Sequence, residues 1–95
     1  MTNSTYYART SQAELERLVA NLTAAAAPAP AGTTYGSEYE YDAARNIRRD
    51  AGRHLEMVRA EIAYREKNPG AREREAASNA KWFGIPVPAA FAGAA

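Results

Sequence analysis

The stretch EYEYDAARNIRRDAGRHLEMVRAEIAYREK, residues 38–67, decides the fold. Its apolar positions Ala44, Ile47, Ala51, Leu55, Val58 and Ile62 recur in steps of three and four residues. At about 100° per residue they fall within about an 80° arc, the mark of a helix that buries one stripe as a packing seam. The two alanines let a neighbouring helix approach closely. Ser37-Glu38-Tyr39-Glu40 opens the segment as a capping box, with Ser37 paired to Glu40. Glu38, Glu40 and Asp42 put negative charge in the first turns, where the helix dipole favours it. Asn68-Pro69-Gly70 closes the segment. The pattern therefore predicts one long central helix over about residues 38–67, about 45 Å in length.

Upstream, Ser11-Gln12-Ala13-Glu14 is a second capping box, in which the Glu14 side chain is expected to reach back to Ser11. Leu15, Leu18, Val19 and Leu22 follow at helical spacing, predicting a helix over about residues 12–26. Ala27-Pro28-Ala29-Pro30-Ala31-Gly32 stops it, because proline removes a backbone donor and holds the chain extended. Downstream, Asn68 suits an N-cap and Pro69 a first helical position, so a third helix is expected at about residues 69–82, with Gly84 just past its end. Ala76, Ala77 and Ala80 form its close-packing side, Arg72-Glu73-Arg74-Glu75 its outer surface, and Trp82 with Phe83 an anchor.

The expected architecture is all-α: three helices, one of them long, with extended N- and C-terminal arms. Residues 1–10 form a polar arm anchored by Tyr6 and Tyr7. Residues 11–26 hold the first helix and 27–37 an Ala/Pro/Gly linker. Residues 38–83 hold the long helix and a short C-terminal one, and 84–95 an extended apolar arm.

Composition narrows the function classes. The chain has 95 residues and a formal charge of +1, with Lys+Arg 12 against Asp+Glu 11, so it is neither a polycation nor an acidic mimic of nucleic acid. It has no cysteine, which excludes disulfides and thiolate metal sites. No basic start followed by an apolar run marks a secretory signal, and no stretch reaches the roughly 20 apolar residues of a membrane helix. No membrane partner is expected, and the cytoplasm or a virion is the expected location. The large apolar side chains are few for the length, because most of the hydrophobic content is alanine. A thin core of this kind points to completion by other protein subunits, in a homo- or hetero-oligomer.

Arg45, Arg48, Arg49, Arg53 and Arg59 lie opposite the seam within about a 140° arc. Such a ridge is able to track a phosphate backbone. Glu56 interrupts it and Asp50 and Glu61 flank it, so a solvated face supported by opposite charges is the favoured reading. His54 is the single histidine, with Asp50 four residues earlier to orient it. A metal site needs three or more ligands, so no metal is expected. Catalytic residues and cofactors are not expected either. There is no activated nucleophile beside a base, and no glycine-rich loop ahead of a Lys-Ser or Lys-Thr pair.

Gly84-Ile85-Pro86-Val87-Pro88 is held extended by its prolines, and no charge occurs from Trp82 to residue 95. Trp82, Phe83, Ile85, Val87 and Phe91 are therefore the candidate docking residues. Docking on another chain is favoured over folding back as a seal on the protein's own helices. The expected function is that of a non-enzymatic linker, cement or adaptor subunit, with a bacteriophage virion as the best setting. The alternatives are a nucleic-acid accessory protein using the Arg ridge, and a small inhibitor that docks a host enzyme.

Overall fold

The computed structural model describes residues 6–91. Residues 1–5 and 92–95, the outer parts of the two expected arms, lie outside the described residues. Among the described residues the fold is all-α with three helices: α1 Gln12–Ala26, α2 Glu38–Lys67 and α3 Ala71–Phe83, followed by a single 3₁₀ turn at Ala89–Phe91. The Cα radius of gyration is 17.5 Å and the extents are 54 × 26 × 24 Å. A compact chain of this length would have a radius of about 12 Å, so α2 acts as a rod rather than as part of a ball.

Both helix starts are capped by serine. The amide of Glu14 donates to Ser11 Oγ at 3.2 Å and that of Glu40 to Ser37 Oγ at 3.1 Å, each satisfying a donor that the first turn leaves free. The reciprocal halves differ from expectation. The Glu14 carboxylate turns outward to Arg17, and Glu40 accepts from the amide of Gly36, at 2.8 Å, instead of that of Ser37.

The junction between α2 and α3 also differs. Asn68 ends α2 instead of starting α3: its amide and its side-chain Nδ2 both donate to Tyr64 O, at 2.9 and 3.0 Å. Pro69 disfavours a helical conformation at Asn68, which sits at φ −130°. Gly70 then takes φ 75°, a left-handed conformation natural to glycine, and serves as the N-cap of α3. Gly84, at φ 65°, closes α3 in the same conformation.

α1 lies antiparallel against the C-terminal half of α2. Leu15 and Val58 are the fully buried large side chains of the core, with Ala51 and Leu55 beside them. Ala44 and Ile62 are half-buried, whereas Ile47 is 64% exposed. The seam thus departs from the sequence expectation at Ile47. Fifteen helical residues reach only about half the length of α2. Beyond them the linker passes on the other side, with Tyr35 edge-on to Tyr41 and its hydroxyl 3.4 Å from Arg48. Among the described residues, nothing covers Ile47.

Candidate functional site

α3 makes little direct contact with the other helices, so its placement depends on a few polar groups at its first turn. Glu61 of α2 is buried, its side chain 1% exposed. Arg72 meets it with two parallel hydrogen bonds, Nε to Oε2 at 2.8 Å and Nη2 to Oε1 at 2.7 Å. Arg65, one turn on from Glu61, donates Nε to Oε2 at 2.7 Å. The same Arg65 uses Nη2 on the carbonyls of Tyr7, Ala8 and Thr10, at 3.2, 3.3 and 2.7 Å. Glu75 takes the remaining Arg72 nitrogen at 2.9 Å. One carboxylate and two guanidiniums thus join α2, α3 and the N-terminal arm, in the bidentate geometry that makes such pairs strong.

Aromatic rings close the cluster. The Arg72 guanidinium lies 4.3 Å from the Tyr64 ring centroid and that of Arg65 5.6 Å from Phe91. Burial pushes the Glu61 carboxyl up, but the hydrogen bonds and charges of Arg72 and Arg65 outweigh it and hold the group below the ordinary carboxylate range. The bond to Glu61 correspondingly raises Arg72 against its own desolvation.

Arg72 was expected on the outer surface of α3 and Glu61 on the flank of the Arg ridge. Glu61 is instead buried and the Arg72 side chain only 10% exposed, because each is the other's partner. The helical wheel carried a signal: Arg65 projects at the same angle as Ile47, inside the arc of the seam, and Glu61 borders it. Charged residues of opposite sign on an apolar stripe mark a buried pair. The third partner, Arg72, lies beyond the Pro-Gly break, and no periodicity links it to Glu61.

His54 is also placed differently. Its Nδ1 lies 2.8 Å from the Tyr7 hydroxyl, and the Tyr6 ring stands edge-on at 5.5 Å. Asp50, the expected partner, is bonded to Arg53 at 2.5 Å. The histidine therefore anchors the arm on α2. Burial, and then the neighbouring Tyr6, raise the Tyr7 hydroxyl above its usual value.

The C-terminal segment leaves α3 at Gly84 and folds back along it. The amides of Gly84 and Ile85 donate to Ala80 O and Asn79 O at 3.2 and 3.3 Å. Ile85 and Phe91 line a cavity of about 190 Å³ together with Ala8, Arg72, Ala76 and Asn79. Phe91 is 7% exposed, tucked where α1 begins and α2 gives way to α3. It was expected on a partner; the chain uses it as its own seal, because the returning segment brings it over the Arg65 guanidinium. The other candidate docking residues stay open. Trp82 is 70% and Phe83 73% exposed, with Ile85 and Val87 at 40% and 38%. The expected anchor of α3 is therefore an exposed aromatic tip, with Lys81 Nζ 5.3 Å from the Trp82 ring.

On the Arg ridge, Arg45, Arg49, Arg53 and Arg59 are exposed and Arg48 is half-buried toward Tyr35. Among the described residues, no group of three or more His, Cys, Asp or Glu is placed to hold a metal ion, and no helix is long and apolar enough to cross a membrane. Compared with protein-family models, curated proteins and solved structures, the chain matches none, so its function is read from this geometry alone.

Proposed function

We propose that this chain is a non-enzymatic adaptor or cement subunit that presents the Trp82–Phe83 tip to other protein subunits. The observation that carries the reading is the exposure of Trp82 and Phe83 on a helix whose other end is fixed by the buried Glu61–Arg72 pair. Tryptophan at a surface is an expensive residue to leave in water and a frequent centre of protein interfaces. A tip carried on a formed helix loses less conformational freedom on docking than an unfolded segment would. The setting we favour is a bacteriophage virion, where small helical subunits with arms bridge larger ones.

The test is capture of partners from the native source by the tagged protein, with and without nuclease, alongside a Trp82→Ala variant. A few proteins at fixed ratio, indifferent to nuclease and lost with the variant, support the proposal. Capture unaffected by Trp82→Ala sinks it. A second reading rests on the exposed Arg45, Arg49 and Arg59, for which no ion pair occurs among the described residues. It makes the chain a nucleic-acid accessory protein, whose binding would fall steeply as salt rises.

A further inference from the structure

Two separate apolar surfaces are open among the described residues, and they differ in charge. One is the tip formed by Trp82, Phe83, Ile85 and Val87. Lys81 is the single charged residue from position 76 to position 95. The other is a stripe on α2 made by Tyr39, Ala43 and Ile47, in steps of four residues, with Tyr39 82% and Ile47 64% exposed. Glu40 and Asp50 border this stripe within about 60° of its centre, while Arg45, Arg48 and Arg49 lie more than about 100° away around the helix. Arg53 is the nearest cation and is already drawn to Asp50. α1 stops at Ala26, short of the stripe, and the linker passes on the side of Tyr41 and Arg48.

We infer that these surfaces fit each other, so that the tip of one copy docks on the Tyr39, Ala43 and Ile47 stripe of the next. The inference rests on the reading of the chain as an assembly subunit and names its first partner as a second copy of itself. Charge favours the match, because a tip with a lysine and no acid meets a stripe bordered by Glu40, the charge of Asp50 being matched by Arg53. Size is sufficient. With an aromatic side chain offering roughly 150–250 Å², the open apolar parts of tip and stripe together come to roughly 700 Å². At an apolar share of about 57%, that corresponds to an interface of about 1,200 Å², the lower edge of the specific range. Because two different surfaces meet, the contact is head-to-tail, and further copies add to either end.

The test is sedimentation velocity on the full chain over a concentration series, with two variants. One is Trp82→Ser with Phe83→Ser, the other Tyr39→Ser with Ile47→Ser. All four side chains are exposed, and unchanged circular dichroism confirms the fold of each variant. The wild type is expected to grow in mass through the micromolar range. Each variant alone is expected to stay monomeric, and their equimolar mixture to form one-to-one pairs, since each supplies the surface the other lacks. A wild type that stays monomeric throughout overturns the inference. So does a stripe variant that still associates, which would mean tip-to-tip contact, or a mixture that remains monomeric. If the wild type is monomeric but still captures fixed-ratio partners through Trp82, the self-contact fails and the subunit reading stands. If it does neither, both fail.

Discussion

The Arg72 guanidinium faces the Glu61 carboxylate through two hydrogen bonds of 2.8 and 2.7 Å, and this single pair spans from the last turns of α2 to the first turn of α3. Little of either side chain is open to water, since Glu61 is 1% and Arg72 10% exposed. Removing the Glu61 carboxylate leaves two largely buried guanidiniums short of their shared anion, with Glu75 and the carbonyls of the arm as their remaining acceptors. Glu61→Ala is therefore expected to lower the unfolding free energy by about 3–5 kcal/mol. The exposed pair Arg53–Asp50 offers the contrast: Arg53→Ala should cost under about 1 kcal/mol. Urea unfolding of both variants at equal m-value checks the pair of expectations. Equal losses would mean that the buried cluster does not hold the fold.

The pH dependence follows from the same carboxylate. Its folded value is depressed, so at falling pH the unfolded chain takes up the proton first, at about pH 4.3. Stability from Glu61 is therefore fully present above that pH and is lost as the pH drops through the lower, folded value. Other acidic groups titrate in the same range, so the informative quantity is the difference between wild type and Glu61→Gln. That difference should be constant near neutrality and shrink progressively below about pH 4.3. A difference independent of pH would contradict the depressed value.

The N-terminal arm provides a local test. Tyr7→Phe removes the hydroxyl that meets His54 Nδ1 at 2.8 Å and keeps the ring. A loss of about 1 kcal/mol is expected, the usual net worth of one hydrogen bond. Because the arm is joined to α2 at few points, the loss should appear first as faster amide exchange at residues 7–10, with α1 and α2 protected as before.

How far the sequence reveals this structure depends on the range of the signal. Steps of three and four residues suffice for α1 and α2, and the Ser11 and Ser37 caps are visible because a cap acts over three residues. Asn68-Pro69-Gly70 is legible as a break, but its detail is not, since Asn68 suits the end of one helix as well as the start of another. Ile47 belongs to the seam by angle and is left uncovered because α1 is too short, a matter of helix lengths and not of pattern. The Glu61–Arg72 pair lies least within reach. Its members are eleven residues apart across a glycine at positive φ, and only the chain direction set there brings them together.

That glycine is itself testable. At φ 75° a β-carbon is strained, and at Gly70 it would also stand 2.9 Å from Arg74 Nη1, the mobile end of a side chain that is able to shift. Gly70→Ala should therefore cost about 1–2 kcal/mol from the backbone alone. The expected consequence is a misdirected α3, read as weakened protection of the Glu61–Arg72 region in hydrogen exchange. A neutral effect would mean that the junction tolerates another path.

Phe91 and Phe83 separate sealing from docking. Phe91 packs over Arg65 and is 7% exposed, while Phe83, eight residues earlier, is 73% exposed. Phe91→Ala removes a buried ring and is expected to destabilise by about 3 kcal/mol, the lower end for such a truncation because the site lies in the returning terminal segment. Phe83→Ala exposes nothing new and should change stability by less than about 0.5 kcal/mol. For association the order reverses: Phe83→Ala should weaken binding to whatever covers the tip, and Phe91→Ala should leave it intact wherever the fold survives. Thermal unfolding paired with a binding measurement on the two variants distinguishes the roles. If both variants lose stability alike, the tip is part of the core, and the reading of Trp82 and Phe83 as a docking surface falls with it.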